Sequence, residues 1–422
     1  MQLQKPQLFT ETKSFLWVLL CIVSVVVLRL IMSYQEYQSF IAKPFYYTYA
    51  DVISEKVKTT ANGKSYNVLK LHSDSGMHFI TTSYTQNTYA KKHLRLQIFP
   101  DEKITFRGYL STFFVKSHIK EVLPMQSTYK DSLLQQVAQQ HQSKMLASFY
   151  NAIFFAAPLS DDLRERISKL GVSHLIALSG FHLGILWGII YGLIKVIYTI
   201  FQQRYFPYRY VLIDVGAVTF IALAIYLWFV DFPPSLVRSY AMLLVGWIML
   251  LLGIELLSFT FLFAVVGMLL ALFPSLVVSL AFWLSVAGVF AIFLLLKYTK
   301  NINKHLIAVL VIPLGIFVLM LPVVHSTFPM TTLYQLLSPV LSLLFILFYP
   351  LVIVLHLIGY GGIFDEVLTW LFDVGSDIKY HLLPVEMMFV YIILAFLSII
   401  YKRAFVLLIF TAFSYALYIF LL

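Results

Sequence analysis

Two histidines and a serine stand together where a long apolar run begins. His174, Ser179 and His182 open the stretch 172–192, along which Gly180, Gly184, Gly188 and Gly192 recur every fourth residue. Ser179 and His182 lie three apart, so a helix puts them on one face, and a serine beside a base is the minimum for acyl transfer. The further requirements of that chemistry are missing: Ala177-Leu-Ser-Gly-Phe181 is not a Gly-x-Ser-x-Gly elbow, and no acid nearby orients the histidine. No catalytic residue is therefore assigned. Glycines spaced by four bare one helix face and let another backbone approach closely, so this helix is expected to pack against protein rather than lipid. Arg238, after Pro233-Pro234, is the candidate for a phosphate contact, because its guanidinium forks onto phosphate oxygens. Its other reading is structural, as a donor to carbonyls that the prolines leave unpaired.

A second set of candidates lies between residues 44 and 126, where eleven Lys and Arg face six acids. Lys91, Lys92 and Arg95 form the densest cluster, supported by Lys56, Lys58, Lys103 and Arg107. Interleaved with them are Tyr84, Tyr89, Phe106 and Tyr109, and cations for phosphates beside ring faces for bases are what a single-strand groove needs. The competing reading is a mildly basic solvated domain whose aromatics are core. His72, His78, His93 and His118 have no ligand spacing and the one cysteine is Cys21, so neither a metal site nor a cofactor is expected.

The elements that must hold these residues are mostly membrane helices. With 60% hydrophobic and 12% charged residues, the 422-residue chain reads as a polytopic α-helical membrane protein of about nine or ten apolar helices. Lys5 and Lys13 before the run 15–32 make residues 1–43 a cytoplasmic tail and signal anchor. Residues 44–126 then lie outside the cytoplasm, as five or so short strands in a small barrel of the OB-fold kind, including Lys103–Tyr109 and a hairpin at Asn62-Gly63. Residues 127–171 read as amphipathic helices along the outer membrane surface, and 172–422 as the transmembrane domain. Basic clusters at Arg204/Arg209, Lys297–Lys304 and Lys402/Arg403 mark cytoplasmic loops. By that parity the run from Thr332 to Gly359, with Pro339 and Pro350, starts and ends on one side and is expected to re-enter or to break, the alternative being a single span that puts the acidic stretch 359–386 inside.

His174-Leu-Ile-Ala-Leu-Ser-Gly-Phe-His-Leu-Gly184 resembles the signature of the competence domain of the ComEC family, the inner-membrane channels that carry transforming DNA. Two further patches fit in order: Pro234-Ser-Leu-Val-Arg238-Ser, and Leu280-Ala-Phe-Trp283-Leu-Ser285. The resemblance implies uptake of single-stranded DNA through a multi-pass protein of the cell (inner) membrane, with the OB-like domain extracytoplasmic. It also implies competence proteins that deliver the DNA. The family's carboxy-terminal metallo-β-lactamase-like domain is not found before Leu422, nor is a nucleotide-binding Gly-rich loop. A separate nuclease and a cytoplasmic motor or helicase are therefore expected as partners, besides DNA and the bilayer, and the chain itself is not expected to be an enzyme. A small-molecule transporter or intramembrane enzyme with a purely structural barrel is the alternative.

Overall fold

The computed structural model describes residues 12–60, 63–85, 87–90, 92–124, 129–176, 178–253, 258–373, 375 and 378–421. They fall into two compact units, one made of Glu11–Tyr129 with Val266–Leu280, the other of Lys130–Val265 with Ala281–Leu422.

The first unit begins with α1 (Thr12–Ile41), a 30-residue helix that outruns the apolar stretch ending at Met32. Its last turns are continued by packing: Tyr37 and Phe40 are buried in the sheet's core, and the Tyr37 hydroxyl donates to the Ile104 carbonyl at 2.6 Å. The strands are β1 (Tyr46–Thr59), β2 (Ser65–Ser73), β3 (His78–Ser83), β4 (Lys92–Phe99), β5 (Phe113–Phe114) and β6 (Lys116–Pro124), with α2 (Phe106–Leu110) between β4 and β5. Their period-two pattern sends Leu69, Leu71, Phe79, Leu94, Leu96 and Ile98 inward, each 0% exposed. Burial of each such side chain stabilises the unit by about 1.5–3 kcal/mol. The sheet order is β5-β3-β2-β1-β4-β6, with only the β3–β5 pair parallel. Residues 113–124 therefore supply both edge strands, β5 beside β3 and β6 beside β4. Gly63 sits at φ +74 in the β1–β2 connection, while Asn62 lies outside the described residues.

One expected strand is a helix. Thr105 accepts the Gly108 N–H and caps α2, so the stretch 103–109 turns instead of extending. Phe106 and Tyr109 then lie against Tyr37 of α1, with ring centroids 5.6 Å away in both cases.

The second unit is helical: α3 (Tyr129–Gln139), α4 (Lys144–Phe155), α5 (Asp161–Lys169), α6 (Ser173–Ile176), α7 (Gly180–Tyr205), α8 (Val211–Phe229), α9 (Pro234–Leu251), α10 (Phe259–Leu272), α11 (Leu280–Tyr298), α12 (Lys304–Leu306), α13 (Ile312–His325), α14 (Ser338–Leu357), α15 (Asp365–Phe372), α16 (Val385–Leu397) and α17 (Lys402–Leu421). The ends of α3, α10 and α11 belong to the first unit. A π turn at Ile307–Val311 joins α12 to α13 as one span, Lys304–His325. Met330–Thr331 (β7) and Lys379–Tyr380 (β8) form a short antiparallel pair. Among the described residues seven helices are long and apolar enough to cross a membrane, while α9, α10 and α16 are shorter.

The helices of 127–171 bury one face: Leu146, Phe149, Tyr150, Ile153, Leu163 and Ile167 lie in a core shared with α14 and α15. One expectation is corrected here: the run 332–359 neither re-enters nor breaks, because Pro339 lies in the first turn of α14, where its missing N–H is not needed, and Pro350 leaves the helix continuous. Met330 pairs with Tyr380 and the His381 N–H donates to the Pro329 carbonyl at 2.8 Å, so the segment before α14 lies beside the segment before α16. The chain returns through the 3-10 turn Gly361–Phe364 and α15, not through two halves of the apolar run.

Candidate functional site

The signature residues of the helical unit build the start of α7. Ser179 is its N-cap, with its side chain accepting the Phe181 N–H at 3.3 Å, and His182 closes a capping box by taking the Ser179 N–H on Nδ1 at 3.4 Å. With Nδ1 as acceptor, the neutral ring carries its proton on Nε2, which is buried without a partner among the described residues. The ring is 0% exposed and stands edge-on to Phe345 and Tyr349 of α14, at 5.1 and 4.8 Å. The Tyr349 phenol bonds Tyr226 of α8, whose hydroxyl donates to the Phe154 carbonyl at 2.9 Å. His174 is exposed and reaches Ser342 of α14 at 3.4 Å.

The starts of α7 and α9 meet. Ser235 donates to the Leu178 carbonyl at 2.6 Å, and a Cβ on Gly180 would stand 2.8 Å from Ser239 Oγ. Pro234 begins α9 behind two consecutive left-handed residues, Asp231 (φ 64) and Phe232 (φ 49), a conformation rare for a phenylalanine. Arg238, 8% exposed, holds its guanidinium over the Phe282 ring of α11 at 5.8 Å. Trp283 and Ser285 follow on the exposed side of α11. The glycine row departs from expectation after its first member: Gly184, Gly188 and Gly192 have nothing within 4 Å of where a Cβ would be. Close packing is confined to Gly180, and the rest of the row faces open space.

In the sheet unit the predicted stacking residues divide. Tyr89 is 3% exposed, Phe106 and Tyr109 pack into the core, and only Tyr84 is open, at 71%. These inward rings are ordinary strand and helix packing, and three of the four proposed platforms are thereby withdrawn. Lys56, Lys58, Arg95, Lys103 and Arg107 are exposed and Lys92 half-buried, while Lys91 lies outside the described residues. The sheet supplies different platforms. Tyr47 and Tyr49 of β1 are 51% and 40% exposed, and the Arg95 guanidinium stands 5.9 Å from each ring. His93 stacks on Tyr49 at 5.5 Å and its Nδ1 bonds Asp51 at 2.7 Å. Register then continues the row: Asp51 pairs with both His93 and His72, and His72 with His78, so these residues share one outer face across four strands. The signal was present in the sequence, since Tyr47/Tyr49 and His93/Arg95 are each two apart on a strand. Only the pairing of β1 with β4 brings them together.

A third polar cluster carried no motif. In the turn between α3 and α4, His141 Nδ1 bonds Asp365 of α15 at 2.9 and 3.1 Å, and its Nε2 lies 3.0 Å from His356 Nε2 at the end of α14. Nothing in the sequence links positions 215 or more residues apart.

The helices make the chain a multi-pass membrane protein. A family model described as Competence, Competence protein, matches residues 156–421, well over half of the chain. The chain belongs to this family, whose role is in DNA uptake during competence. No curated protein and no solved structure matches it.

Proposed function

We propose that the chain is the membrane channel of DNA uptake, and that the outer face of its sheet captures single-stranded DNA before the helical unit passes it inward. The sheet then acts as a small OB-like barrel, in keeping with one stretch, 113–124, supplying both edge strands. The observation that carries the reading is Arg95 set between the exposed rings of Tyr47 and Tyr49, a cation flanked by two stacking platforms. Stacking tolerates any base and the cation any phosphate, so capture is independent of sequence. In this reading the chain catalyses nothing, and a separate nuclease and cytoplasmic motor act on the DNA.

The test is binding of a fluorescent single strand to the full-length protein in detergent, across a salt series. Tyr47→Ala and Tyr49→Ala are each expected to weaken binding by about 1–3 kcal/mol per lost stacked base, roughly 5- to 150-fold. Arg95→Gln is expected to reduce the salt slope by about 0.7, the share of one phosphate on a single strand. Wild-type affinity in the Tyr47/Tyr49 double variant would sink the proposal.

A further inference from the structure

We infer that Asp365, His141 and His356 form a proton-binding site, a hydrogen-bonded string that is complete only when it holds one proton more than a carboxylate and two neutral imidazoles carry. The inference rests on geometry and stands apart from the DNA-capture reading. His356 Nδ1 lies 2.6 Å from the Val352 carbonyl, which only accepts, so that nitrogen bears a hydrogen. His141 Nδ1 faces the Asp365 carboxylate at 2.9 Å and bears another. A neutral imidazole has one N–H, so both Nε2 atoms would then present lone pairs to each other across 3.0 Å. One added proton converts that contact into a hydrogen bond. The carboxylate balances its charge, which makes the string neutral as a whole and tolerable where the His141 side chain is 0% exposed.

The surroundings fit proton exchange at one end and insulation at the other. Asp365 lines a cavity of about 890 Å³ with Gln140, Gln142 and Glu366. From α4, Tyr150 stacks on His141 at 4.4 Å; burial first, then the Asp365 charge, pushes its phenol well up, so it stays neutral. From α14 only His356 faces the ring. On the cavity wall Asp373 is paired with Arg166 of α5 at 2.8 Å. Gln140 fastens the same joint without a proton, donating to the His356 carbonyl at 3.1 Å and accepting the Gly361 N–H at 2.8 Å. Protonation thus sets how firmly the α3–α4 turn is tied to the end of α14 and the start of α15. Asp365 occupies the far nitrogen of His141, so only two ligands face each other, short of a closed zinc site.

The experiment follows thermal unfolding of the full-length protein in detergent from about pH 6 to pH 9, for wild type and His356→Gln. The added proton completes the Nε2–Nε2 contact between His141 and His356, a bond that the unfolded chain does not make. Its stabilisation is therefore complete at the acid end and lost as pH rises through the site's deprotonation. A glutamine amide donates to His141 Nε2 without taking a proton from solvent, so the variant is expected to show a flatter profile. An unchanged pH slope in His356→Gln overturns the inference. So does a fall of the wild-type midpoint on adding EDTA, which assigns the histidines to a metal. If the variant does not fold, wild-type protein labelled with ¹⁵N-histidine decides alone: an imidazolium persisting at about pH 8 supports the string, and none overturns it.

Discussion

The outer face of the sheet and the start of α7 use similar side chains in opposite ways. On the sheet, His93, Arg95, Tyr47 and Tyr49 lie partly open, joined by ring contacts of 5.5–5.9 Å that a ligand can replace. At α7, Ser179 and His182 are consumed by a capping box, and the histidine is closed off under Phe345 and Tyr349. The first arrangement suits reversible capture. The second orients a helix, and its polarity serves the backbone amides that would otherwise be orphaned at membrane depth. A polar cluster inside an apolar run is thus no guide to ligand binding until its hydrogen bonds are assigned.

The sharpest way to break this contrast is to ask whether the helical unit's polar ties are as fixed as they look. The β7–β8 pair and the His381 bond to Pro329 hold the segment before α14 against the segment before α16. After Cys21, the native thiol, is replaced by serine, cysteines introduced singly at Thr327 and Tyr380 are expected to react alike with an impermeant thiol reagent in intact cells. The outcome is all or none. Labelling of one position alone would separate β7 from β8 and remove the return of the chain through α15.

A smaller effect tests the glycine row. Gly180→Leu forces a side chain against Ser239, whose hydroxyl is already held by the Ser235 carbonyl at 2.8 Å, and is expected to cost about 1–3 kcal/mol of stability. Gly188→Leu meets open space and is expected to stay within about 0.5 kcal/mol. Thermal unfolding of the two variants measures the difference. Equal losses would mean that the open face of α7 is covered in the membrane, for instance by a second copy.

What could be read from the chain depended on the range of each contact. The short strands of 44–126 and the apolar helices of the second unit were legible, because period and the length of an apolar run are local properties of the chain. Lys103–Tyr109 misled because its alternation imitates a strand, while Thr105 is placed to cap a turn. In α4, Asn151 donates to the Leu134 carbonyl at 3.3 Å, a contact between segments that no local pattern announces. His141, His356 and Asp365 were out of reach, since no pattern in a single sequence encodes a contact across more than 200 residues.

The smallest expected effect concerns pH at the sheet. His78 lies in the row that runs through Asp51 and His72, on the face that carries Arg95 and Tyr49. Burial, then the charges of His72 and Lys70, lower its pKa below the ordinary imidazole range. The folded sheet therefore holds His78 neutral where the unfolded chain would already bind a proton, and acidification through that window costs stability. Bound phosphates reverse the balance by favouring the charged ring, so single-strand affinity is expected to rise as pH falls from about 7.5 to about 5.5. His78→Gln removes the proton without removing Arg95 or the tyrosines, and is expected to lose part of that rise, about a few-fold, while leaving affinity at pH 7.5 unchanged. Titrations at both pH values, at one salt concentration, measure it. If the variant gains as much affinity on acidification as wild type, His78 takes no part, and the acid response belongs to the other histidines of the row.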